Sequence, residues 1–128
     1  MNLTAPDYVI LIVQDLDRAL EFYTGLLGLN LGHRSGDYAQ LDTGATRLAL
    51  YTRAAMEKTL DIRLGPPADN APGFEIGFKV GDVDSAYDRL IGAGAESVVA
   101  PADRFWGQRT AYVRDPDGHL IEFAQDLR

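Results

Sequence analysis

Cysteine is missing altogether from this chain. That removes a disulfide framework, a thiolate metal site and a cysteine nucleophile from consideration. Positive charge is also short: 12 Lys and Arg against 19 Asp and Glu leave a formal net charge of −7. With no basic stripe to neutralise phosphates, nucleic acid is not an expected partner, whereas a cationic small molecule is compatible with the acidic balance. No apolar run is long enough to span a bilayer. The opening MNLTAPDY lacks the basic-then-apolar pattern of a secretory signal, so no membrane association and a cytoplasmic setting are expected. The phosphate-cradling, zinc-protease and serine-hydrolase signatures are absent too. What remains is 128 residues, 46% of them apolar and 24% charged, an amount of chain suited to one globular domain.

The chain repeats one pattern. In DYVILIVQDLDRALEFYTGLLGLNL a strand-like run meets Asp15, a helix N-cap, and Leu16, Ala19, Leu20, Tyr23, Leu26 and Leu27 follow at helical spacing. In FEIGFKVGDVDSAYDRLIGAGAESV a strand-like run meets Asp82, and Val83, Ala86, Tyr87, Leu90 and Ile91 follow, with Gly92 or Gly94 ending the helix. The offset that carries Asp15 onto Asp82 also carries Leu16 onto Val83, Asp17 onto Asp84, Ala19 onto Ala86 and Tyr8 onto Glu75. Three strand-like pieces come after each helix: NLGHR, DYAQL and TRLALYT, then ESVVA, RTAYV and HLIEF. The expected fold is therefore α+β, two paired βαβββ modules forming a curved mixed sheet around a cleft. Module one covers 1–55 and module two covers 74–128. A Pro-, Gly- and charge-rich linker over 56–73, with one helical turn, joins them into a single domain.

Period-2 alternation assigns faces. Val9, Leu11 and Val13 share one face of the first strand, and Tyr8, Ile10 and Ile12 the other. On the fifth strand Ile76 and Phe78 contrast with Glu75, Gly77 and Lys79, and on the last Ile121 and Phe123 contrast with Leu120, Glu122 and Ala124. Glu75 and Glu122 are thus expected to face the same cavity. Two carboxyls there raise each other's proton affinity or call for a cation: a metal ion, a ligand amine or Arg109. Trp106, the only tryptophan, stands in RFWGQR beside Phe105. It reads as an aromatic wall for stacking, with Gln108 and Arg109 supplying hydrogen bonds. The turn DPDG, Asp115 to Gly118, needs no catalytic role.

Three segments, VQDLDRALEFYTGLLGL, VGDVDSAYDRLIGAGAE and RDPDGHLIEF, cover most of the chain in order. They resemble the glyoxalase/bleomycin-resistance/extradiol-dioxygenase superfamily, the vicinal-oxygen-chelate fold. The resemblance implies paired βαβββ modules, a homodimer, a small-molecule ligand and, in the enzymes, a divalent metal ion. Carried over residue by residue, the metal positions fall on Tyr8, Leu50, Glu75 and Glu122, with Leu50 taken from matching TRLALYT to HLIEFAQ. Leu50 offers no lone pair and Tyr8 stands where an imidazole is usual, which leaves Glu75 and Glu122 as the metal candidates. Metal-free members hold planar drugs between aromatic side chains. The expected function is metal-independent binding of an antibiotic-like ligand, cationic or aromatic, with no cofactor. Tyr8, Ile10, Ile12, Leu48, Leu50, Glu75, Lys79, Phe105, Trp106, Arg109 and Glu122 would line the site. The alternative is a divalent-metal lyase, isomerase or dioxygenase.

Overall fold

The computed structural model describes residues 5–6, 8–65 and 74–128. The chain forms two units, 1–66 and 67–128, and each repeats strand, helix, three strands. In the first unit β1 (Tyr8–Val13) leads into α1 (Leu16–Leu20), which continues as a π-helical segment, Glu21–Leu26. Then come β2 (Asn30–Ser35), β3 (Tyr38–Asp42), β4 (Arg47–Thr52) and α2 (Arg53–Leu60). The second unit has β5 (Glu75–Lys79), α3 (Val83–Gly92), β6 (Glu96–Arg104), β7 (Gln108–Arg114) and β8 (Leu120–Asp126). The sheet orders are β1-β4-β3-β2 and β5-β8-β7-β6. In each sheet the first and last strands of the unit run parallel, which requires the helical crossover, and the other pairs are antiparallel.

Both helix starts follow from the Asp caps. The Asp15 side chain accepts from the Arg18 amide at 3.1 Å, and the Asp82 side chain accepts from the Ser85 amide at 3.2 Å. One face of each sheet carries the core. Leu11, Val13, Leu41, Leu48 and Leu50 are buried in the first unit with Leu16, Phe22 and Tyr23 from the helical segment. Val113, Ile121 and Phe123 are buried in the second with Val83 and Leu90. Each such aliphatic side chain contributes about 1.5–3 kcal/mol of burial. The opposite face of each sheet is more polar, and on the first sheet Tyr51 reaches from it to Thr59 of α2, their hydroxyls 2.8 Å apart.

The helical turn expected in the linker lies at its start, as the end of α2. α2 runs through Met56 to Leu60, with the Thr52 hydroxyl accepting from the Ala55 amide at 3.2 Å. RAAMEKTL holds no Gly or Pro, and helix formers with a capping Thr extend the chain as helix until Asp61. The rest of the expected linker, 66–73, lies outside the described residues. No described helix is long and apolar enough to cross a membrane.

Candidate functional site

On the open face of the second sheet, Glu75, Gly77 and Lys79 of β5 stand beside Leu120, Glu122 and Ala124 of β8. Gln108, Thr110 and Tyr112 of β7 continue that face. Tyr112 lies directly across from Glu122, and its hydroxyl donates to Glu122 Oε2 at 2.8 Å. Gly77 is Glu122's register partner on β5, and a Cβ there would sit 3.0 Å from Glu122 Oε1. The glycine thus leaves the space that the Glu122 carboxyl occupies.

Glu75 and Glu122 lie diagonally across β5 and β8 on the same face. Desolvation first, then the negative field of Glu122 and a hydrogen bond to it, push the Glu75 carboxyl above its ordinary value of 4.5. Burial and the bond to Glu122 likewise raise the Tyr112 phenol, which therefore stays a donor at neutral pH. The result is a phenol–carboxyl–carboxyl chain. Between the ordinary and the raised value the folded protein holds more proton at Glu75 than the unfolded chain does, so this group lowers stability as pH rises through that window. Glu75→Gln, which keeps a donor toward Glu122, removes the penalty. The melting temperature of the variant minus that of the parent is expected to be positive at pH 7.5 and to shrink toward pH 4.5. A difference that grows on acidification contradicts the raised proton affinity of Glu75.

Lys79 does not pair with Glu75. Its Nζ donates to both oxygens of Asp126, at 2.8 and 2.7 Å, and Gln108 Nε2 donates to Asp126 Oδ1 at 3.0 Å. Gln108 Oε1 accepts from Trp106 Nε1 at 2.9 Å. This relay fixes the indole at the tip of the β6–β7 hairpin, where Gly107 takes a φ of 91° that a side chain would oppose. Phe105 is almost fully exposed, its ring edge-on to Trp106 at 5.1 Å. The two rings are adjacent and accessible.

Three expected lining residues fall elsewhere. Arg109 is out of phase with Gln108 and Thr110, so it lies on the helix side. There its Nε and Nη2 donate to Asp84 of α3 at 2.8 and 2.9 Å, and its Nη1 to Asp103 at 3.0 Å. It is a tie between sheet and helix, not a counter-ion for Glu75 and Glu122. Leu48 and Leu50 pair with Val9 and Leu11 and are buried on the helix side of the first sheet. Tyr8, Ile10 and Ile12 share the open face with their partners Arg47, Ala49 and Tyr51. Ile10 pairs with Ala49 as Gly77 pairs with Glu122, so the residue equivalent to Glu122 is Ala49. Leu50 corresponds instead to Phe123, and Tyr51 is half-buried on the open face against Tyr38.

The donor set does not fit a metal site with three protein ligands. Glu75 and Glu122 are engaged with each other and with Tyr112, the equivalent positions in the first unit hold a phenol and a methyl group, and among the described residues no group of three or more His, Cys, Asp or Glu is placed to hold an ion. His119, which follows the turn, is bound through Nδ1 to Asp115 at 2.6 Å.

Tyr112, Asp126 and Arg47 were not singled out from sequence. Tyr112 was within reach, since alternation along QRTAYVR puts it in phase with Gln108 and Thr110. Arg47 required the β1–β4 register.

The description "Glyoxalase/Bleomycin resistance protein/Dioxygenase superfamily" belongs to the family model that matches residues 5–123. The chain is similar to the Bacillus subtilis protein YraH, 35% identical over 91% of this chain and 94% of that one. It is similar to a probable lactoylglutathione lyase from Synechocystis, 31% identical over 92% of each. Among solved structures, a glyoxalase/bleomycin resistance protein/dioxygenase from Nocardioides superposes with a TM-score of 0.83 at 26% identity, covering 100% of this chain and 87% of that one.

Proposed function

Because the chain belongs to the glyoxalase/bleomycin resistance protein/dioxygenase superfamily, we propose that it is a small-molecule binding protein of that family that holds its ligand without a metal ion. The ligand is antibiotic-like, with a cationic or hydroxyl-bearing group on an aromatic body. The observation that carries this reading is the chain from Tyr112 through Glu122 to Glu75. Two carboxyls on one face, one of them accepting from a phenol, make an acidic hydrogen-bonding surface, which suits an amine or a hydroxyl. The exposed Phe105 and Trp106 supply stacking, and the Lys79–Asp126–Gln108 relay holds the indole in place. Organisation as one domain over 1–128, homodimerisation and a cytoplasmic setting belong to the same proposal.

A second reading is a divalent-metal lyase, isomerase or dioxygenase. The meeting of Glu75 with Glu122 and the likeness to a probable lactoylglutathione lyase favour it. Elemental analysis of untagged protein, before and after incubation with Mg²⁺, Mn²⁺, Fe²⁺, Ni²⁺ and Zn²⁺, separates the two. The proposed function predicts no stoichiometric metal, together with saturable Trp106 fluorescence changes against a panel of cationic aromatic compounds. By calorimetry Trp106→Ala weakens such binding by about 1 kcal/mol. Near-stoichiometric metal that is lost in Glu122→Gln overturns the proposal in favour of the second reading.

A further inference from the structure

Where β8 carries Glu122, β4 carries Ala49, and the side chains around that methyl have a different chemistry. Tyr8 and Arg47 are partners across β1 and β4. Ile10 and Gln40 flank Ala49 from β1 and β3. Tyr38 leans along its own strand, and its hydroxyl donates to Gln40 Oε1 at 3.1 Å. Ala49 is fully covered while Ile10 beside it is exposed, so the apolar floor next to these polar groups is Ile10.

The Arg47 guanidinium lies 5.0 Å from the centre of the Tyr8 ring, and its Nη1 reaches the Tyr8 hydroxyl at 3.4 Å. Ring contact orients the planar fork while leaving most of its five N–H donors uncommitted. Arg34, Arg109 and Arg114 each have a carboxylate partner. Among the described residues none lies within ion-pair distance of Arg47. Tyr38 feels both neighbours. Burial and Tyr8 raise its phenol while Arg47 lowers it, and the net rise keeps it protonated and able to donate. A charged fork, two phenols and an amide at the rim of an apolar floor are the parts with which proteins recognise an anionic head on an apolar body.

We propose that Arg47, Tyr8 and Tyr38 form a recognition site for an anionic group, carboxylate or phosphoryl, whose apolar body lies over Ile10. The site stands on the first unit alone, independently of the acidic chain in the second.

The test titrates the full-length protein at low ionic strength with benzoate, phenyl phosphate and benzyl alcohol, following backbone amide shifts and affinity. At least one of the anions binds saturably and shifts the amides of residues 8, 38 and 47. Benzyl alcohol binds about tenfold more weakly or not at all, the difference that about 1.4 kcal/mol of charge recognition makes. A preference for benzoate identifies a planar carboxylate site, and a preference for phenyl phosphate a tetrahedral one. Arg47→Met lowers anion affinity about tenfold or more, while Arg47→Lys retains part of it through its charge. Loss of cationic-ligand binding in Glu122→Gln reads out the acidic site and loss of anion binding in Arg47→Met reads out this one, so failure of the acidic site and failure of this one are distinguishable. Three results each overturn the assignment: neither anion binds, benzyl alcohol matches the anions, or Arg47→Met binds as the parent does.

Discussion

Leu50→Glu is expected to unfold the protein under conditions in which Ala49→Glu leaves it folded. The two positions are adjacent on β4 and both are fully buried, but they point to opposite faces. Leu50 is paired with Leu11 and Ala39 on the helix side, so a glutamate there loses the leucine's burial and also places an unpartnered charge in an apolar core. A cost of about 4 kcal/mol or more is expected, most of what a domain of this size can spare. Ala49 has Ile10 and Gln40 as its partners on the open face. A glutamate side chain there can push past Tyr38 and Gln40 toward solvent, two residues along from Arg47, and a cost of about 1 kcal/mol is expected. Urea denaturation of the two variants measures the difference directly. Equal destabilisation, or the reverse order, would mean that the strand register is wrong. The same experiment also tests the repeat, because Ala49→Glu creates in the first unit the carboxyl that Glu122 provides in the second.

Asp115→Ala is expected to destabilise the protein by about 2–4 kcal/mol, although the turn holding it contains no group proposed to touch a ligand. The Asp115 side chain is fully buried. Its Oδ1 accepts from the amides of Asp117 and His119 at 3.0 and 2.8 Å, and its Oδ2 meets His119 Nδ1 at 2.6 Å. Removing one acceptor strands several donors at once, and stranded donors cost more than the net worth of a hydrogen bond. Asp115→Asn keeps one carbonyl oxygen for the amides and should recover part of the loss. The turn delivers the chain into β8 one residue before Leu120 and three before Glu122, so its distortion should also disturb the bond between Tyr112 and Glu122. Thermal and urea melts of the three proteins give the order. An alanine variant as stable as the parent would remove the turn from the list of structural anchors.

Much of the fold was legible because it is written in local terms. Asp15 and Asp82 cap helices since a short carboxyl can reach back to an amide three residues on, and that relation needs no tertiary partner. Alternation along β5 and β8 put Glu75 and Glu122 on one face, where the β5–β8 register has them diagonally placed. The α+β class and the twofold βαβββ pattern followed from the same local signals. Legibility failed where a single residue of register decides the answer. Along β4 the run LALY is apolar at every position, so alternation is silent, and Leu50 took the place that belongs to Ala49. Arg109 was misplaced for a related reason: the charge of an arginine says nothing about which side of a strand it leaves, and the partners that claim it, Asp84 and Asp103, come from different elements. By itself the sequence determined the repeat, the helix caps, the core faces of the well-alternating strands and the placing of two acids on one face, all of which depend on spacing along the chain. Only the tertiary structure decided that Tyr112 binds Glu122, that Gly77 makes room for it, and that Arg47 lies against Tyr8 beside Ala49. Those contacts arise between strands, and the register that creates them is fixed by the packing of the whole sheet on its helix, not by any one strand.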